Sequence, residues 1–311
     1  MTIISECTFA NFDLIKSKDV VTDNSSIGKA NECKFTLPVF AYPTDIADTW
    51  RNDFTSSLLS LSNRYSAPKI FLEKESSCDN WTEITQLTDD TYGTYFPIAS
   101  IDGWIGYKVQ WHLVNSINGL GCYRLRQEYT DLTDSSTKIS YSYKYNLRLF
   151  SEVIADKTTK ITYTVNGGLL GDPKDDKNKI NYQGITWERE VRLPQSFFGF
   201  ESSEFAREFT RYLDGGQVHI LDDQVETILF NARRLPYSLH RELKTIALQS
   251  DIILMSDYNL DNPSTIAGVP YDHKRVNCSS SYEPTWNTNN TYAGVNLTFE
   301  PYYQNLRRKR C

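Results

Sequence analysis

Long apolar runs are missing from this sequence, so no membrane-spanning helix is expected. Methionine is nearly absent, at two residues, and histidine stands at four. The six cysteines (Cys7, Cys33, Cys78, Cys122, Cys278, Cys311) lie far apart with no Cys-x-x-Cys pair. Met1–Glu6 lacks a basic stretch followed by an apolar one, so no secretory signal is expected and the cysteines read as free thiols. The usual catalytic signatures are missing too: no Walker A loop, nucleophile elbow, His-Glu-x-x-His or strand-linked Gly-x-Gly-x-x-Gly. Gly167-Gly168-Leu169-Leu170-Gly171 comes nearest, but no Lys-Ser/Thr pair follows it. His219 lies four residues before Asp223, a spacing that unites side chains only on a helix, and the segment reads as strand or turn. His112 and His240 read as surface residues on polar faces. No enzyme activity, cofactor or metal is expected.

What is abundant is aromatic. Aromatic residues make up 13% of the chain, with 20 tyrosines, which suits half-buried sheets and wet interfaces. Hydrophobic content of 40% is enough for a core in 311 residues. The net charge of −6 argues against general binding to nucleic acid or anionic membranes.

Alternation of apolar and polar residues marks strands along most of the chain. Residues 1–32 read as an extended arm. Cys33–Tyr42 reads as an edge strand, because Pro38 cannot donate to a ladder. Thr44–Tyr65 fits a helix face only loosely, through Trp50, Phe54, Leu58, Leu59 and Leu61. Lys69–Lys74 and Trp81–Leu87 are short strands. In Trp104–Val114, Tyr107, Val109 and Trp111 are assigned inward and Lys108 and Gln110 outward. Asn118-Gly119 then signals a hairpin turn. Cys122–Tyr129, Lys138–Leu149 (with Tyr141, Tyr143 and Tyr145 inward) and Lys160–Val165 repeat the pattern. Strands at this spacing without helices between them predict an immunoglobulin-like antiparallel β-sandwich over 33–165.

Asn166–Lys179, with its glycines, Pro173 and charged run, reads as a boundary or long exposed hairpin. Residues 180–311 are then expected to form a mixed β-rich domain with one main helix and a basic C-terminal tail. Ile185, Trp187, Val191 and Leu193 give a strand stopped by Pro194, and Asp214-Gly215-Gly216 reverses the chain into Gln217–Leu221. The helix is expected from Pro236 to about Gln249, burying Leu239, Leu243 and Ile246, with His240, Glu242 and Lys244 on other faces. Asp251–Met255 reads as a buried strand and Ala293–Phe299 as a closing one.

The residues expected at an assembly interface come from several places. Phe197, Phe198 and Phe200 lie in an apolar loop that either tucks between layers or stays exposed as a partner surface. Trp81 and Trp104 suit an interface, or a sugar-stacking site in a carbohydrate-binding or adhesin-type module. Asp172 and Lys174 belong to the glycine-rich stretch, and Arg308 to the basic tail. Residues 1–32, 166–179 and 277–292 bury little alone and are expected at neighbour contacts.

A resemblance adds to this. Gly121-Cys122-Tyr123-Arg124-Leu125, then Phe150-Ser151-Glu152, then Thr159-Lys160-Ile161-Thr162-Tyr163 resemble tail and neck structural proteins of Bacteroidetes-infecting tailed phages, the crAss-like phages being the nearest group. Glu226 to Leu235-Pro236, the helix with Leu243, and Asp251-Ile252-Ile253 are similar in style. The likeness spans roughly residues 100–300. It implies a virion component that assembles as a ring, a tail hub or connector, with other tail and neck proteins as partners. DNA would pass nearby without specific binding. The resemblance implies no catalytic residues.

Overall fold

The computed structural model describes residues 2–3, 35–41, 53–60, 66, 69–77, 80–87, 91–97, 104–150, 157–166, 169–170, 180–181, 186–211, 215, 217–245, 247–257, 272–287, 292–302 and 307–308. Within these the chain is mainly β, with several largely antiparallel sheets. The first strands are β1 (Thr2–Ile3), β2 (Thr36–Ala41), β3 (Phe54–Ser60), β4 (Lys69–Ser77), β5 (Asn80–Gln86), β6 (Gly93–Pro97) and β7 (Trp104–Gln110). Helix α1 (Trp111–Asn118) follows, then β8 (Gly121–Asp131), β9 (Ser136–Tyr141), β10 (Lys144–Leu149) and β11 (Thr158–Asn166). After the short pair β12 (Leu169–Leu170) and β13 (Ile180–Asn181) come β14 (Thr186–Pro194), β15 (Ser196–Arg211) and β16 (Gln217–Pro236). The chain continues through α2 (Tyr237–Thr245), β17 (Ile252–Asp257), β18 (Asp272–Cys278), β19 (Thr285–Trp286), β20 (Tyr292–Pro301) and β21 (Arg307–Arg308).

One seven-stranded sheet centres on β8. β4 and then β5 lie on one side of it, and β9 and β10 lie end to end on the other. β1 runs parallel to β9, and β2 parallel to β10. β2 ends this sheet, which suits Pro38. A nine-stranded sheet runs β14-β11-β17-β18-β20-β16-β15, with β19 added to β20 and β21 to β16. A third sheet is β3-β7-β6. β11, the last strand of the expected sandwich, belongs to the nine-stranded sheet, where it pairs with β14 and β17. Its antiparallel pairing with β14 runs up to Asn166 opposite Thr186. A single apolar core links the sheets, reaching from Leu37 to Phe299.

Several local expectations change. Strand β7 stops at Gln110 and the chain turns helical, carrying Trp111 and Val114 inward three residues apart. The inward face is as expected even so: Tyr107, Val109 and Trp111 are buried, while Lys108 and Gln110 are partly exposed. Asn118-Gly119 ends this helix instead of making a hairpin. Gly119 has φ +74° and its N–H bonds to the Asn115 carbonyl. Both structures need a residue that accepts positive φ, so the same pair signals either. Phe54, Leu58 and Leu59 lie in strand β3, not on a helix, because pairing with β7 overrides a weak helical pattern.

Lys138–Leu149 is two strands, not one. The register along β8 changes by one residue between β9 and β10, so Ser142 and Tyr143 form a bulge opposite Leu125. Ser142 fills the gap: its N–H bonds to the Leu125 carbonyl at 2.9 Å and its Oγ accepts the Leu125 N–H at 2.8 Å. Tyr143 and Tyr145 are buried, whereas Tyr141 is only partly so.

The expected second helix is α2, continued by a 3₁₀ turn at Ala247–Gln249. Leu239 and Leu243 are buried as expected, and Ile246 lies outside the described residues. His240 and Glu242, expected on other faces, are also buried. β17 and β20 fulfil the expected strands, Ile253, Met255, Val295, Leu297 and Phe299 all being buried. The segment from Asn277 does not stand apart: Tyr282 packs against the core and β19 joins β20. Of residues 1–32 only β1 is described, and of 166–179 only Asn166 and β12.

Candidate assembly surface and its buried frame

The apolar loop expected after Pro194 is the start of strand β15. Alternation therefore separates its phenylalanines. Phe198 is buried, edge-on to Phe299 at 6.4 Å between ring centres, while Phe197 is 49% exposed. Phe200 lies on β15, its side chain outside the described set. Phe197 stands opposite Asn231 and Gly199 opposite Leu229. Leu229, two residues from Asn231 on β16, is 43% exposed. Phe197 and Leu229 thus share one solvent face of the β15–β16 ladder.

Trp81 sits elsewhere, on β5. The Arg124 guanidinium lies between it and Tyr141, 4.3 Å from one ring centre and 4.1 Å from the other. Lys144 approaches the same tryptophan at 5.2 Å. Glu73 takes the Arg124 Nε at 2.6 Å and pairs with Arg126 at 2.6 Å, and Arg126 also pairs with Glu83 and Glu128. Trp81 is therefore a cation–π partner within its own sheet. Trp104 opens β7, opposite Ser60, and its side chain is outside the described residues, as are Asp172 and Lys174 altogether. Arg308 lies in β21, with Asp222 and Asp223 of β16 opposite Arg308 and Arg307. The basic tail thus includes a short strand, at register positions of opposite charge. The described candidates are spread over three sheets: Trp81 on the seven-stranded one, Trp104 on the three-stranded one, and the phenylalanines and Arg308 on the nine-stranded one.

Sequence reading missed a buried ionic frame between β2, β3 and the β11–β14 ladder. Lys160 faces Arg192 across that ladder and Thr162 faces Glu190. Asp53, just before β3, is fully buried. Its carboxylate accepts from Arg192 Nε at 2.8 Å and Nη2 at 2.7 Å, and from the Phe40 N–H at 2.8 Å. Lys160 Nζ lies 3.3 Å from Asp53 and 2.8 Å from Glu190, which in turn accepts the Phe54 N–H at 3.0 Å. Two acids thus meet two bases, and a backbone N–H donates to each acid. Burial opposes the Asp53 charge, but Arg192 and Lys160 hold its carboxyl below the ordinary range. Burial raises Glu190 to about 7, with Lys160 working against the rise and Asp53 with it.

The other face of β14 carries a second ionic contact. Arg189 reaches Glu242 of α2 at 3.3 Å, and the Tyr163 hydroxyl donates to the same carboxylate. Burial raises the Glu242 carboxyl, against the pull of Arg189 and Tyr163. Nearby, His240 Nε2 lies 3.1 Å from the Ala293 carbonyl and Nδ1 2.6 Å from the Tyr282 hydroxyl. A carbonyl can only accept, so Nε2 carries the proton and Tyr282 donates to Nδ1. Burial lowers the His240 pKa, in keeping with a neutral ring. Arg189, Glu242, Tyr163 and His240 are buried and tie their elements to one another, and Tyr282 is partly buried beside them. Among the described residues no cluster of His, Cys, Asp or Glu is arranged to hold a metal, and Cys122 and Cys278 are free thiols.

No protein-family model matches the chain, and no curated protein matches it.

Proposed function

We propose that this chain is a virion structural protein, a ring-forming subunit of a phage tail hub or head–tail connector that docks neighbouring tail proteins. The observation that carries this reading is a ribbon. β16 leaves its partner β20 at Ile228, yet β15 and β16 go on pairing through residues 201–211 and 217–227. Beyond Ile228 the two-residue β21 is the other described strand that joins them. At about 3.4 Å per residue the ribbon reaches on the order of 35 Å. A two-stranded ribbon is marginal alone in water, and its open edge invites pairing. A neighbouring subunit lying along it would satisfy both needs, and a ring supplies such a neighbour to every copy. The net charge of −6 suits a channel that DNA passes without binding. The carbohydrate-binding alternative loses support at Trp81, whose ring already holds Arg124.

Mass photometry of the full chain should give a defined oligomer that dissociates on dilution. Replacing residues 201–227 by a short turn should leave thermal unfolding cooperative while abolishing the oligomer. A full chain that stays monomeric at high concentration and binds an oligosaccharide through Trp81 or Trp104 overturns the reading.

A further inference from the structure

The face bearing Phe197 also bears a cleft of about 490 Å³, lined by Lys157, Gln195, Ser196, Phe197, Asn231 and Arg233. Register explains why these residues meet. Phe197 pairs with Asn231, and the Arg233 N–H bonds to the Gln195 carbonyl at 3.3 Å. Phe197, Asn231 and Arg233 project to one side of the ladder, and Gln195, at the turn before β15, sits across from Arg233. The other side carries Phe198, Phe230 and Ala232 into the core. Lys157 joins from the start of β11, its carbonyl accepting the Ser196 N–H at 3.3 Å. Gln195 has φ +51°, a left-handed conformation that side chains adopt rarely. That turn puts its amide beside the cleft.

The chemistry of the lining is one-sided. Among the described residues it holds two cations and no carboxylate, although the chain as a whole is acidic. Among the described residues, neither Lys157 nor Arg233 pairs with an acid. Gln195 offers a donor and an acceptor, as an extended peptide backbone requires, and Asn231, whose amide nitrogen donates to Asn296, keeps its carbonyl oxygen and a second N–H. Phe197 and the neighbouring Leu229 add exposed apolar surface. The volume lies within the usual range of binding clefts.

We propose that this cleft binds an acidic peptide segment of another protein, a carboxylate between Lys157 and Arg233 and an apolar side chain on Phe197. The Arg233 guanidinium matches a carboxylate with two parallel hydrogen bonds, and the ring gives the neighbouring side chain a dry platform. A nucleic-acid strand would bring further phosphates against an acidic protein, with two cations among the described lining residues to meet them. The inference goes beyond ring formation and does not depend on it.

The test pans a random heptapeptide library against the full chain and measures enriched peptides by fluorescence anisotropy. Peptides with Asp or Glu beside a large apolar residue should be enriched, and their binding should weaken with salt. Lys157→Gln and Arg233→Gln should each weaken binding about tenfold, the loss expected for a charge-assisted contact. Phe197→Ser should keep the acidic preference and lose the apolar one. All three side chains are exposed, so unfolding should be little changed. No enrichment, enrichment without acidic residues, or undiminished binding to the Lys157→Gln/Arg233→Gln double variant overturns the proposal. So does a labelled DNA duplex that binds the cleft more tightly than the enriched peptides.

Discussion

Arg192 grips Asp53 through two nitrogens, at 2.8 and 2.7 Å, across 139 residues of sequence. The pair joins the β11–β14 ladder to the chain entering β3, and Phe40 of β2 is tied to the same carboxylate. It makes sheets distant in sequence into one frame.

Removing one side of this pair should therefore be severe. Asp53→Ala leaves Arg192 buried without its acid and should cost about 3–5 kcal/mol in urea unfolding. Arg192→Lys should recover little, because an ammonium lacks the two-pronged geometry. Replacing both with apolar residues of similar size should restore much of the loss. If Asp53→Ala costs less than about 1 kcal/mol, the frame does not hold the sheets together.

The frame should also make stability depend on pH. Glu190 titrates at about 7 when folded against an ordinary 4.5, so between these values the folded chain keeps a proton that the unfolded chain releases. Its contribution is complete below its ordinary value and is lost as pH rises through the folded one. Glu242, also raised, acts in the same direction. Asp53, lowered, acts oppositely, its contribution disappearing as pH falls below its ordinary 3.8. Relative to Glu190→Gln, the parent should lose about 1–3 kcal/mol between about pH 5 and about pH 8. Urea titrations of both proteins at the two pH values measure this, and parallel curves would remove Glu190 from the account.

Helix α2 offers a contrast between two faces. Leu243 is buried in the common core, and Leu243→Ala should cost about 2–5 kcal/mol. Tyr237 opens the same helix at 59% exposure with its ring 6.0 Å from that of Trp286, and Tyr237→Ala should cost about 0.5–1.5 kcal/mol, the worth of one aromatic pair. Thermal unfolding of the two variants decides it; equal losses would mean that the helix does not pack as described.

The β9–β10 bulge gives a smaller, sharper case. Ser142→Ala strands the Leu125 N–H, which has the Ser142 Oγ as its partner at 2.8 Å. The loss should be about 1–3 kcal/mol, the penalty for an unsatisfied buried donor. Hydrogen exchange at Leu125 should quicken in the variant, and unchanged exchange would reject the contact.

Most strands were legible because one face meets the core and the other meets water, which writes a period of two into the residues. That is why Tyr107 and Val109, and Tyr143 and Tyr145, could be assigned inward from sequence. Pro194 and Gly215 marked turns for equally local reasons, a missing donor and a tolerated positive φ (+83° at Gly215). Where both faces of a strand are covered, the period carries no such message. On β14, Val191 and Leu193 looked inward, yet Arg189, Glu190 and Arg192 are buried as well. Their partners Glu242, Lys160 and Asp53 come from other elements, and no local pattern records a charge neutralised across the fold. The same holds for His240 and Glu242 on α2, polar in sequence and enclosed by Tyr282, Ala293, Tyr163 and Arg189. The sequence alone determined a β-rich chain and the inward faces of most strands. Only the tertiary structure decided which charges are buried, that Phe197 and Phe198 part to opposite faces, and that Lys157 and Arg233 meet beside an exposed ring. Local periodicity is set by neighbours along the chain, whereas pairing partners and clefts are set by residues brought together from far apart.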